Sequence, residues 1–173
     1  MFPKWGKIAL IGFVFYFVEM SLGHLFDIKG VRPDLMLIYV AFLAVHHDNV
    51  IALIAGFFAG LFQDITAIHF VGVYALIKAT IGFWGACFFQ TQTVQFKFWM
   101  FPIFVFVAGI IQFTWSGIFL LLGADMSFIH YFVTFVLPSS FYTASFAFLL
   151  HLIPGVPGLF SERGFSRLHL RDS

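Results

Sequence analysis

The fold turns on VIALIAGFFAGLFQDITAIHFVGVYALIKATIGFWGACFF, Val50–Phe89. As one helix rising 1.5 Å per residue, this run would be about 60 Å long, twice the roughly 30 Å hydrocarbon core of a bilayer. Gln63-Asp64 and Thr66 interrupt it near its middle. The reading is therefore two membrane crossings that turn near Asp64–Ala67.

Working outward, the remaining apolar runs are Ile8–Phe26, a short Leu35–Val45 ending at His46-His47-Asp48-Asn49, Phe98–Gly123 and Phe128–Ile153. The count is six helices in an all-α membrane bundle over residues 1–153, followed by a short basic tail over residues 154–173. Composition agrees: 61% of the 173 residues are hydrophobic and 10% are charged, far fewer than the quarter usual in soluble domains. Twenty-eight phenylalanines suit a lipid-facing perimeter better than a water-facing one. A net charge of +1 argues against nucleic acid as a partner. The amino end has the basic start and apolar run of a signal peptide but no small-x-small cleavage pattern, so it reads as a retained first helix.

Orientation follows the basic residues. One side of the predicted topology carries Lys4, Lys7, Lys97, Arg163, Arg167 and Arg171; the other carries Lys29 and Arg32. Both termini are expected in the cytoplasm, with the chain multi-pass in the membrane. Arg163, Arg167 and Arg171 recur every four residues, which would set them on one helical face toward anionic headgroups.

Apolar helices in lipid associate where small residues let backbones approach. Ala52, Gly56, Gly60 and Gln63 share one helical face, small along most of its length and polar at one end. Similar stripes run through Gly12, Tyr16, Glu19 and Gly23, through Ala75, Ala79, Gly82 and Ala86, and through Gly109, Gln112 and Ser116. Gly56 and Gly60 are therefore expected at a helix–helix contact. Pro33-Asp34 reads as a helix start, since proline suits the first turn and a carboxylate there is favoured by the macrodipole. Asp64, at the carboxyl end of its helix, lacks that explanation and should be held by a donor or a cation, Arg32 being nearest in sequence. Glu19 and Lys78 fall near mid-membrane in this topology, where unpaired charge is costly, and are predicted to pair between helices one and four. Charge exchange at the two positions should then rescue the single reversals.

No nucleophile–base pair, phosphate loop or metal quartet is evident, and no cofactor or enzymatic activity is expected. Adjacent histidines in His46-His47-Asp48 do not match zinc-site spacing. Cys87, alone, reads as a small buried hydrophobe. Pro138 should kink the last helix, with Ser139, Ser140 and Thr143 satisfying the carbonyl it frees.

The succession RPDLMLIYVAFLAV, HHDN, VIALIAGFFAGLFQDI, IHFVGVYALI resembles the MreD family, integral membrane components of the bacterial rod-shape machinery. The resemblance falls on Pro33, Asp34, Leu35, Gly56, Gly60, Asp64 and Gly72, and spans roughly residues 30–90. It departs at HHDN, where the family often carries a basic residue. It implies a six-helix bundle similar to the substrate-binding components of vitamin-importing ECF transporters. It also implies a non-enzymatic scaffold in the elongation complex (elongasome), docking MreC and working with MreB, RodA and a class B penicillin-binding protein in lateral peptidoglycan synthesis and cell-shape control. Arg32, with the motif residues, would form the packing or partner interface, and self-association is possible in such a scaffold. The other reading is a vitamin-like small-molecule binder within a transporter. Those components dock through an Ala-x-x-x-Ala pattern on helix one, whereas Ala9 and Gly12 stand three apart here.

Overall fold

The computed structural model describes residues 4–22, 25, 27, 31–66, 72–91, 99–121 and 127–153. Gly23, Lys29, Lys97 and the basic tail with Arg163, Arg167 and Arg171 lie outside the described residues. Six helices follow in order: α1 (Lys4–Leu22), α2 (Leu35–His46), α3 (Asn49–Thr66), α4 (Val73–Thr91), α5 (Met100–Leu121) and α6 (Phe128–Leu152). Four of them, α3 to α6, are long and apolar enough to cross a membrane; α2 is a shorter apolar helix. Large apolar side chains such as Phe13, Phe17, Trp84, Ile103, Ile129 and Phe141 stand exposed around the outside, a surface suited to acyl chains.

The helices alternate in direction. The starts of α1, α3 and α5 share one end of the bundle with the last turns of α2, α4 and α6, and the opposite end holds the remaining termini. At the first end, Phe101 at the start of α5 lies 5.1 Å, ring to ring, from His151 near the end of α6. At the other, Gly117 of α5 faces the ring of Tyr131 on α6.

α2 occupies the centre. Every residue from Leu35 to Ala44 is buried, so this helix touches protein on all sides. That explains its length: twelve residues rise about 18 Å, well short of a bilayer. A helix sheathed by its neighbours need not match the membrane thickness. The Tyr39 hydroxyl donates to the carbonyl of Ile8 at 2.9 Å and lies against Gly12, holding α1 on α2.

The predicted hairpin is α3 and α4, antiparallel and in backbone contact. A Cβ placed on Gly56 would lie 2.4 Å from the Lys78 carbonyl oxygen, and one on Gly60 2.2 Å from that of Tyr74. In the same register, a Cβ on Gly82 would meet the Ala52 carbonyl oxygen at 2.4 Å. Each step of four along α3 is answered by a step of four back along α4, so one seam of small residues zips both helices. Such contact maximises dispersion and short Cα–H···O contacts where no hydrophobic drive exists between helices.

α6 departs from the expectation at Pro138. Instead of a simple kink, residues Phe132–Val136 form a π-helical turn, with the Leu137 N–H bonded to the Phe132 carbonyl, and Pro138 follows directly. The hydroxyls of Ser140 and Thr143 bond the carbonyls of Val136 and Ser139, four residues back from each. Neither is the Thr134 carbonyl that lies four before the proline.

Gly72 plays a different part from the seam glycines. Its φ is +103°, a left-handed conformation that side chains disfavour, yet a Cβ there would meet nothing within 4 Å. It turns the chain into α4, and its carbonyl accepts the Leu76 N–H. The two kinds of glycine separate experimentally. Gly72→Ala should cost about 1–2 kcal/mol through backbone strain alone. Gly60→Ala, pressing on backbone that cannot rotate away, should cost about 1–3 kcal/mol and loosen the α3–α4 seam. Unfolding in detergent, with cysteine cross-linking rates across the seam, checks both; only Gly60→Ala should change the cross-linking.

Candidate functional site: a buried ionic core joining six helices

Asp34 is the N-cap of α2, its Oδ1 accepting the Leu37 N–H at 2.7 Å. Helix α2 thus begins at Leu35, with Pro33 and Asp34 just outside it rather than in its first turn. Capping is only part of what Asp34 does, and the sequence reading of Pro33-Asp34 as a helix start stopped there. Its Oδ2 also accepts from Lys78 Nζ of α4 at 2.6 Å and from Gln112 Nε2 of α5. Gln63 Nε2 of α3 reaches Oδ1 at 3.2 Å. Four donors saturate the carboxylate's two oxygens.

Lys78 is fully buried. It donates to Asp34 and, at 2.6 Å, to the Gln112 carbonyl oxygen, while the Tyr74 ring lies 5.8 Å below its nitrogen. Its ion pair is therefore with Asp34, which corrects the expected Glu19–Lys78 pair. The reason is where the helices begin and end. α4 starts at Val73, placing Lys78 in its second turn; α1 ends at Leu22, placing Glu19 in its last turn. Neither lies mid-helix as the sequence topology assumed, and α2 opens between them. Glu19 joins the same network by another route, accepting the Met36 N–H at 2.9 Å and a proton of the Gln63 amide.

α6 completes the set: the Asp34 N–H donates to Thr143 Oγ1 at 3.2 Å. Each of the six helices thus contributes a group to one continuous polar cluster around the start of α2. Gln63, Gln112 and Thr143 were visible in the sequence as polar residues in apolar runs. Only the shared register of Gln63 and Gln112 with small residues hinted that these two face inward. Gln63 gives both amide protons to carboxylates, which leaves its buried Oε1 without a donor.

Asp64 is also buried, and of the expected donor or cation it takes donors, not Arg32. Oδ1 accepts the Tyr74 N–H at 3.1 Å and Oδ2 the Ala75 N–H at 2.9 Å. The end of α3 thereby caps the start of α4, where the positive macrodipole end favours an anion. Arg32 instead pairs with Asp27 at 2.7 Å on an exposed surface, a contact worth about 0–1 kcal/mol. Of the motif residues, Asp34 joins the core, Asp64 and Gly72 form the α3–α4 connection, Gly56 and Gly60 form the seam, and Arg32 stays outside all three.

His46 Nδ1 lies 2.9 Å from the Phe42 carbonyl, and the His47 carbonyl accepts from Gln90. Among the described residues, no group of three or more His, Cys, Asp or Glu could hold a metal ion. Cys87 is partly buried and accepts a long contact from the Asn49 amide at 3.7 Å.

Long apolar helices wrapped around an ionic core define a multi-pass membrane protein whose polar groups are engaged with one another. Comparison with protein families identifies it further: residues 5–159 match MreD, rod shape-determining protein MreD, and the chain belongs to that family. No curated protein and no solved structure matches the chain.

Removing one charge from a buried pair is costlier than removing both. Lys78→Met should destabilise the bundle by about 3–5 kcal/mol, while Asp34→Asn with Lys78→Met should recover most of that loss. Reversible unfolding in mixed micelles measures both; a double variant no better than Lys78→Met would contradict the pairing.

Proposed function

We propose that the chain is a non-enzymatic scaffold in the membrane. It docks MreC and, with it, links MreB filaments, RodA and a class B penicillin-binding protein to lateral peptidoglycan synthesis. Family membership in rod shape determination supports the coarse role. The observation that carries the finer one is the engagement of the polar groups. Glu19, Asp34, Gln63, Lys78, Gln112 and Thr143 bind one another across all six helices. A bundle tied in this way is stiff, and its outward faces offer apolar contact to neighbouring membrane helices.

Three surface grooves suit that purpose. One of about 520 Å³ lies between α1 and α3, one of about 570 Å³ between α4 and α5, and one of about 550 Å³ between α5 and α6. Their walls are almost wholly apolar. A small-molecule site combines such walls with a few convergent polar groups that orient the ligand. That contrast favours helix docking over the vitamin-binding alternative. In this reading the architecture is that of the ECF substrate-binding components put to a structural use, with both termini in the cytoplasm and the chain in the inner membrane. Gly56, Gly60, Asp64 and Gly72 maintain the seam on which a docking surface depends.

Purification in mild detergent from cells co-producing MreC should retain MreC and no vitamin-like compound by mass spectrometry; the reverse result would overturn the scaffold. Gly56→Leu with Gly60→Leu should abolish that co-purification and give rounded cells. Normal rods from this double variant would mean the seam is dispensable.

A further inference from the structure

The π-helical turn of α6 leaves backbone carbonyls without donors. The Leu137 N–H bonds the Phe132 carbonyl, five residues back. Pro138 has no N–H to give. Regular helix resumes at Leu137, so the Val136 carbonyl takes the Ser140 N–H. Along the helix, the Ser139 N–H alone then remains for the carbonyls of Val133, Thr134 and Phe135. At least two of these three have no helical partner. Nearby hydroxyls do not make up the deficit: those of Ser140 and Thr143 bond Val136 and Ser139, and the buried ones of Ser139 and Thr114 bond nothing.

Thr134 stands beside these carbonyls and faces outward. Thr66, Thr80 and Ser145, also exposed, each donate to a carbonyl three or four residues back. Thr134 makes no such bond among the described residues. It lies about 9 Å along a 25-residue span that exceeds a roughly 30 Å core by about 7 Å. Centred on the bilayer, that span holds Thr134 within the hydrocarbon, where an unmatched carbonyl is costly. Pro138, one turn on, is exposed on the same side, so the Thr134 carbonyl opens toward that surface.

We propose that this face of α6 pairs with the same face of a second copy of the chain. Two copies inserted in one orientation are related by an axis along the bilayer normal, so each depth on one meets the same depth on the other. A polar patch can satisfy itself under that symmetry only if its donor and its acceptor share a level. The Thr134 hydroxyl and the freed carbonyls do, lying within one helical turn. Each hydroxyl donates to a freed carbonyl of the other copy. Val133, Thr134 and Pro138 are short and exposed, and the bulkier Ile129 and Phe141 stand on either side of them. Short side chains therefore meet short ones, and the two backbones approach closely. The pairing is independent of the docking role proposed above.

The test uses the full chain in cell membranes, with Cys87→Ala and a single cysteine introduced by Val133→Cys. Oxidation by copper phenanthroline should give a disulfide-linked dimer on a non-reducing gel. Phe17→Cys, similarly exposed but on α1, should give at least about tenfold less. In the Val133→Cys background, Thr134→Val removes the hydroxyl at constant shape and should lower the yield about fivefold to tenfold. Thr134→Ser should restore it, and Pro138→Ala, which supplies the missing N–H, should lower it again. Unfolding of the Thr134→Val monomer in detergent should match the parent; a shifted midpoint would place the hydroxyl inside the fold and overturn the interface. Equal yields from positions 133 and 17, a yield indifferent to Thr134→Val, or a disulfide from position 133 to a different protein would each overturn the pairing.

Discussion

A carboxylate withdrawn from water must recover its hydrogen bonds from protein, and Asp34 draws them from α2, α3, α4 and α5 while its backbone N–H turns to α6. In a soluble protein such a cluster would compete with hydration, and its replacement by packed apolar groups would often be neutral. In lipid the alternative to a partner is hydrocarbon, so the cluster acts as a condition on folding: all six helices must arrive for its charges to be tolerated. The bundle's arrangement follows from that demand. α2 is central because its first turn supplies the N–H groups, and α1 and α4 flank it because Glu19 and Lys78 must reach that turn.

The α3–α4 seam does complementary work. The ionic core fixes which helices meet and at what height, but it is a point constraint. The seam extends along most of two helices, and backbone contact at Gly56, Gly60 and Gly82 leaves almost no freedom to slide. Asp64 then locks the seam at the turn by capping α4 across it. Height from charge and register from glycine together make a surface whose grooves hold their shape.

The helix count, the Val50–Phe89 hairpin and the role of Gly56 and Gly60 were legible in the sequence, since length against bilayer thickness and small-residue spacing are local properties. The position of Asp64 as an anion needing a donor was legible too, though its partner was not. That partner is a pair of backbone N–H groups, which no side-chain pattern records. The Glu19–Lys78 pairing failed for a related reason. Depth was counted from the ends of apolar runs, and α1 and α4 end and begin elsewhere. Asp34 already had a sufficient local explanation as a cap, which concealed its second role. The basic residues of the tail remain a reading of sequence alone.

The completeness of α2's sheath bears on how the chain is made. At about 18 Å, this helix cannot by itself hold a position across the bilayer as it leaves the ribosome. The Asp34 backbone N–H, at its head, lacks its acceptor until the Thr143 hydroxyl has been synthesised, 109 residues later. Insertion and tertiary assembly are thus one process for this protein, with α2 sheltered provisionally until the last helix emerges and closes over it. A product truncated before α6 would keep the four donors to the Asp34 carboxylate yet leave its backbone N–H unanswered at the head of α2.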